Sequence, residues 1–167
     1  MTGSSRPLVL VVMGSESDLP LVQPAAEALK ELDVPHEVHI ASAHRTPDRA
    51  IALATAARGQ GVRVIIAAAG GAAHLAGVIA AHTTLPVIGI PIASGGLGGL
   101  DALLSTAQMP SGVPVATVAV NGARSAALLA ARILATSDST LARRLEKLQQ
   151  DMARQVHQAD ARVRKAR

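Results

Sequence analysis

The stretch Leu8-Val9-Leu10-Val11-Val12-Met13-Gly14-Ser15-Glu16-Ser17-Asp18-Leu19-Pro20 runs from an unbroken apolar segment through a small polar turn into helix-start chemistry. An apolar run without alternation suits a strand buried on both faces, and such strands belong to parallel sheets covered by helices on each side. The pattern recurs. Strands are expected at 8–13, 36–40, 62–67, 86–90 and 113–120, alternating with Ala-rich helical stretches at 18–32, 46–58, 72–83, 98–107 and 123–136. Four of these strands are rich in Val and Ile. The second carries His36, Glu37 and His39 and is expected nearer an edge. Asp18 before Pro20, and Thr46 before Pro47 and Asp48, are expected to cap their helices through side-chain acceptors. Five βα units predict an α/β domain over residues 1–137, a parallel sheet between two helical layers.

The chain has 167 residues, 49% of them hydrophobic and 17% charged, which suits one folded domain with a tail. It contains no Phe, Tyr or Trp, so nothing aromatic can stack on a flavin or a nucleobase. It also lacks Cys, which excludes a thiolate nucleophile, a disulfide framework and a Cys-ligated zinc site, and is compatible with a reducing cytoplasm. The run 8–13 is too short and too early for a secretory signal, and no stretch is apolar for long enough to span a membrane.

A pI near 10.6 raises the possibility of nucleic-acid binding. The placement of charge argues against it. Residues 1–137 hold eight basic and eight acidic side chains, whereas residues 138–167 hold eight and four, so the whole excess lies in the tail. There Leu141, Leu145, Leu148, Met152, Val156, Ala159 and Val163 recur at spacings of three and four, the stripe of an amphipathic helix. A body closed by five βα units leaves no obvious groove for it, so the tail is expected to pack on a neighbouring subunit.

Ligands of parallel α/β sheets bind beyond the C-terminal strand ends, which directs attention to the loops there. After the first strand, Gly14 permits close backbone approach, while Ser15, Ser17 and a helix N-terminus offer donors suited to a phosphate. Asp18 would repel a phosphate and suits a sugar hydroxyl. The same residues also fit an ordinary capping turn. After the second strand, in Ser42-Ala43-His44-Arg45-Thr46-Pro47, Arg45 offers a forked cation and His44 a proton carrier near neutral pH. A capping histidine and a surface ion pair would equally fit. After the third strand, Gly70, Gly71, Ala72, Ala73 and His74 bring backbone donors and one imidazole, which can also be read as a packed residue.

Other signals are weak. Gly95-Gly96-Leu97-Gly98-Gly99 begins like a dinucleotide fingerprint but has Asp101 at the third glycine position, and there is no P-loop. His36, His39, His82 and His157 lack metal-ligand spacing and are read as structural or surface residues; no metal is expected.

In combination, Met13-Gly14-Ser15-Glu16-Ser17-Asp18, Ser42-Ala43-His44-Arg45-Thr46-Pro47, Gly70-Gly71-Ala72-Ala73-His74-Leu75, and Gln108-Met109-Pro110 with Gly112-Val113-Pro114-Val115 closely resemble the N5-carboxyaminoimidazole ribonucleotide mutase family over about residues 7–136. The resemblance implies a flavodoxin-like or Rossmann-like three-layer fold. It also implies a homo-octamer with sites where subunits meet, a ribonucleotide substrate, and no ATP, biotin or metal. By position, Gly14, Ser15, Ser17, Asp18, Ser42, Ala43 and Arg45 match substrate-binding residues and His44 the catalytic histidine. Gly70, Gly71, Ala72 and His74 match the pocket for base and carboxylate. The Gln-Met-Pro segment resembles the mutase class and not the related class that carboxylates aminoimidazole ribonucleotide directly, which remains the nearest rival. A noncatalytic nucleotide-binding module is a rival of another kind. The chain departs from the family at Ala76, where Pro is common, and in the Gly-rich segment 94–100.

Overall fold

The computed structural model describes residues 6–165. Strands β1 (Val9–Met13), β2 (His36–Ile40), β3 (Val64–Gly70), β4 (Val87–Ile92) and β5 (Ala116–Thr117) form one parallel sheet in the order β2-β1-β3-β4-β5. Helices α1 (Leu19–Glu31), α2 (Pro47–Gln60), α3 (Leu75–Ala80), α4 (Leu100–Ala107), α5 (Ala123–Ala135) and α6 (Ser139–Lys165) complete the described residues, with a 3-10 turn at Glu16–Asp18 leading into α1. The polar β2 lies at the edge, as its composition requires.

Alternation along the strands builds two cores. Val9, Val11 and Met13 of β1, Val64, Ile66 and Ala68 of β3, and Ile88, Ile90 and Ile92 of β4 pack with α1 and α5. Leu10, Val12, Ile65, Ala67 and Val87 point the other way, toward α2 and α3. Successive strand residues face opposite sides, so an apolar run needs a helical layer on each. The layers approach through small residues: Ala25 and Ala28 of α1 share the first core with Ala126, Ala127, Ala130 and Ala131 of α5.

Several boundaries differ from the sequence expectation. β3 extends to Gly70, so the glycine pair begins at the end of a strand. β5 shrinks to two residues, because Pro114 has no N–H to give the ladder and the chain beyond Thr117 drifts from it. It still donates from Val118 to Gly89 O and from Asn121 to Pro91 O, at 3.1 and 2.8 Å. Helix α3 covers six residues and starts late, because the turn that follows Gly71, itself at φ +59°, takes up residues 72–74, the first expected to be helical. Ala76 is the second residue of α3, where a proline also fits because that N–H has no helical partner.

The expected side-chain caps are corrected. Neither Asp18 nor Thr46 caps its helix. Ser15 Oγ instead accepts from Ser17 N–H at the 3-10 turn, and Thr46 Oγ1 accepts from Ser42 N–H at 2.9 Å, folding the loop before α2.

The body also offers the tail a groove. Asp138 Oδ1 caps α6 through Thr140 and Leu141 N–H at 2.9 and 3.0 Å. Leu141 is buried in the first core, Leu145 packs against it, and Arg144 donates to Leu32 O at 2.8 Å and pairs with Asp33. The stripe therefore begins inside its own chain. Met152, Val156 and Val163 beyond it are exposed.

On the second face of β4, Gly89 lets α4 approach the sheet. A Cβ there would stand 2.3 Å from Thr106 Cγ2 and 3.0 Å from Val115 Cγ1. Gly89→Ala should cost about 1–3 kcal/mol by overpacking. Gly89→Ala combined with Thr106→Ser, which removes that methyl, should recover part of the loss in denaturant unfolding.

Candidate active site

The parallel register sets β1, β2 and β3 level, with Met13 opposite both Ile40 and Ala68. Gly14 N–H donates to Ala68 O at 3.1 Å and Ala41 N–H to Met13 O at 3.0 Å, so the pairing continues to the point where the loops depart. Gly14, Ser15, Ser17 and Asp18 from the first loop, Ser42, Ala43, His44 and Arg45 from the second, and Gly70 and Ala72 from the third thus line one cavity of about 470 Å³. Ala69, Leu75 and Ser94 join them; they belong to stretches that stand out in the sequence but had no site role there. Ser94 lies just past the C-terminal end of β4, and a polar residue at a strand end is the sequence signal that marks it. Its hydroxyl occupies the space a Gly70 side chain would need, with Oγ 2.1 Å from an ideal Cβ.

Arg45 Nη2 donates to Gly14 O at 3.0 Å, tying the second loop to the first. Among the described residues Arg45 has no carboxylate ion-pair partner, so its charge is available to an anion. Ser42 Oγ accepts the N–H groups of His44 and Arg45 at 3.3 and 3.1 Å, a side-chain turn that sets both residues and leaves the Ser42 proton for a ligand. The hydroxyls of Ser17 and Ser15 stand 3.0 Å apart and share a hydrogen bond at the mouth of the first loop. Three loops thus present donors and one cation to a shared space, the requirement for holding a phosphate.

Gly71 and His74 do not line this cavity. His74 borders a neighbouring recess with Gly77, Val78, His82 and the Gln108-Met109-Pro110 segment. Yet His74 Nδ1 lies 2.9 Å from His44 Nε2, the rings meeting edge to face at 81°. One of those nitrogens must carry a proton while the other offers a lone pair. A proton can therefore enter or leave the pair at either outer nitrogen, Nδ1 of His44 or Nε2 of His74. The other histidines stand apart: His36 meets Val34 O, His39 meets Glu37, and His82 meets Val78 O. Among the described residues no three His, Cys, Asp or Glu side chains gather as metal ligands.

The AIR carboxylase family model matches residues 8–155. The chain belongs to that family. It is 54% identical over 160 residues to an N5-carboxyaminoimidazole ribonucleotide mutase of Pyrococcus horikoshii, covering 96% of this chain and 90% of that one. It is also 54% identical over 141 residues to the phosphoribosylaminoimidazole carboxylase of Saccharomyces cerevisiae, covering 84% of this chain but 25% of that longer one. The crystal structure of Treponema denticola PurE superposes with a TM-score of 0.85 at 29% identity, covering 94% of this chain and 98% of that one. The family's five-stranded parallel α/β architecture, expected from the sequence, is the architecture found.

Asp18 carries the local electrostatic cost of this arrangement. Burial beside Gly14 pushes its carboxyl above the ordinary aspartate value, against the opposing pull of Ser15 N–H, the Ser17 hydroxyl and Arg45. A raised folded-state value means that stability falls as pH rises through it. Asp18→Asn should therefore melt at higher temperature than the unsubstituted chain at pH 7. The difference should close once the pH drops below the ordinary carboxylate range, about 4.

Proposed function

We propose that this chain converts N5-carboxyaminoimidazole ribonucleotide to 4-carboxy-5-aminoimidazole ribonucleotide, an isomerase step of purine biosynthesis, in the cytoplasm. The observation that carries this reading is the His44–His74 contact beside a cavity whose far side is built for an anion. The 54% identity to a mutase, over nearly the whole of both chains, supports it.

The ribonucleotide phosphate meets Arg45 and the hydroxyls of Ser15, Ser17 and Ser42, while Asp18 accepts from ribose hydroxyls. That anchoring sets the base against the small residues Gly70 and Ala72, where backbone dipoles come close to the carboxylate. Protonated His44 delivers its proton to the exocyclic nitrogen as the nitrogen–carboxyl bond breaks, releasing carbon dioxide and leaving a neutral amine. The electron-rich ring carbon C4 then attacks the confined carbon dioxide, and the C4 proton passes to the now neutral His44. The imidazolium is regenerated and no proton is consumed. An imidazole suits both transfers because its acid and base forms are both populated near pH 7. Confinement supplies effective concentration.

The same reading assigns a homo-octamer whose sites are completed where subunits meet. Leu97, Leu100 and Leu104 form an exposed apolar row on and before α4, and Met152, Val156 and Val163 form another on α6. Exposed rows of this kind mark protein contacts. The outer half of α6 packs on a neighbouring subunit. Nucleic acid is not a partner in this reading, since the basic excess stays on that helix, where Arg154 pairs with Asp151 and Arg164 with Asp160.

Direct carboxylation of aminoimidazole ribonucleotide is the second reading, and the yeast relative's name favours it. Two incubations separate the two: the N5-carboxylated substrate without bicarbonate, and aminoimidazole ribonucleotide with it. Rapid product in the first alone identifies the mutase, and rapid product in the second alone identifies the carboxylase. In the productive incubation His44→Asn should lose at least about a hundredfold in kcat with the fold intact, and near-normal turnover would reject the role given to His44. Removing residues 151–167 spares Leu141 and Leu145 and should leave a folded body that sediments as a smaller species than the full chain.

A further inference from the structure

The turn at residues 71–74 delivers His74 to His44, yet little within it fixes its shape. Gly71 stands at φ +59°, and the N–H groups of Ala73 and His74 reach back only two residues, to Gly71 O and Ala72 O at 2.8 Å each. Closures of that span are poorly directed hydrogen bonds. Among the described residues, the hydrogen bonds that reach residues 71–73 from another element all come from one side chain, Ser105 of α4. Its Oγ accepts Ala73 N–H at 3.1 Å. Its single proton has Asp101 O at 2.8 Å, one helical turn back, with Ala102 O and Gly71 O farther away at 3.3 and 3.4 Å. Ala73 is buried, so water cannot readily replace the lost acceptor. Helix α4 is itself held against the sheet by the buried residues Ala102 and Thr106. The hydroxyl therefore links a fixed helix to a loosely closed turn.

We propose that Ser105 is a positioning residue, whose hydroxyl sets the height of the His74 ring and, through the 2.9 Å contact, the orientation and tautomer of His44. The kinetic part of this inference rests on the reading of His44 as the proton carrier. Ser105 lines the recess behind His74 and not the cavity that holds the anion donors. Ser15, Ser17 and Arg45 stand on other loops, so the anchoring of the phosphate is independent of it. A shift of about 1 Å in the turn is enough to break the imidazole contact and to spoil proton transfer.

The test compares Ser105→Ala, Ser105→Thr and Ser105→Val in the full chain. Thr and Val add nearly the same bulk and differ in the hydroxyl, so a packing effect is common to both. Imidazole resonances of protein labelled at histidine are recorded alongside kcat, KM and thermal unfolding. In Ser105→Ala and Ser105→Val the His44 and His74 signals should move together while those of His36, His39, His82 and His157 stay in place. The kcat should fall about tenfold or more with KM within about twofold of its starting value. Ser105→Thr should restore signals and kcat. Unmoved His44 and His74 signals in folded Ser105→Val would overturn the proposal, and so would a loss confined to KM or one that Thr shares with Val. The resonances need no turnover: a chain that leaves the ribonucleotide unconverted, yet still shows the paired shift, refutes the mutase reading and upholds the role of Ser105.

Discussion

Parallel pairing of β1 on both of its edges sets the geometry of everything at the cavity. Because Met13 is held level with Ile40 on one side and Ala68 on the other, three loops leave the sheet side by side. In a parallel sheet all C-terminal strand ends lie on the same side, so each helix that follows returns the chain to the other end of the strands, and the loops at the C-terminal ends are free for ligands. A slip of one residue in this register would turn Val9, Val11 and Met13 from one core to the other and would withdraw Gly14 from Ala68. Burial on both faces makes such a slip costly. The apolar composition of β1, β3 and β4 is therefore also the means by which the loops are aligned.

A core without aromatic residues shapes the rest of the molecule. Ala and Val bury little area apiece, and their small size lets α1 and α5 lie close and lets α4 reach the sheet over Gly89. A large share of the stabilisation must then come from many small contacts at high packing density. The exposed leucines near α4 and the outer stripe of α6 are, with Leu19, Val38 and Ile40, the large apolar groups left outside this packing. An assembly that covered them would supply burial that the single chain lacks.

Within the cavity, the groups proposed for anchoring and for proton handling stand on different elements. Arg45, Ser15 and Ser42 meet on the side of β1 and β2, where the Arg45–Gly14 hydrogen bond fastens one loop to the other. His44 belongs to the same loop but is met from the opposite side by His74, which comes from the turn after β3. One imidazole is thus placed by the loop that carries Arg45 and met by a neighbour outside it. Asp18, partly desolvated among the same donors, is held above the ordinary aspartate value by that burial.

The sequence by itself determined the layer architecture, the edge position of β2 and the identity of the three loops. Each of these follows from composition and period: runs of Val and Ile demand two covered faces, the polar triplet His36, Glu37 and His39 demands an edge, and Gly, Ser, His and Arg after a strand carry polar chemistry. Its errors came where a local signal competes with distant partners. The expected caps of Asp18 and Thr46 yielded to Ser15 and to a loop that uses Thr46 differently, and β5 shortened around Pro114. Only the tertiary structure decided that Leu141 and Arg144 seat the tail on its own body, that Ser94 enters the cavity, and that His44 and His74, thirty positions apart, share a hydrogen bond. Periodicity reports which face of an element is buried, but the meeting of two side chains depends on register, turn shape and the helix packed behind them, and no local pattern encodes those.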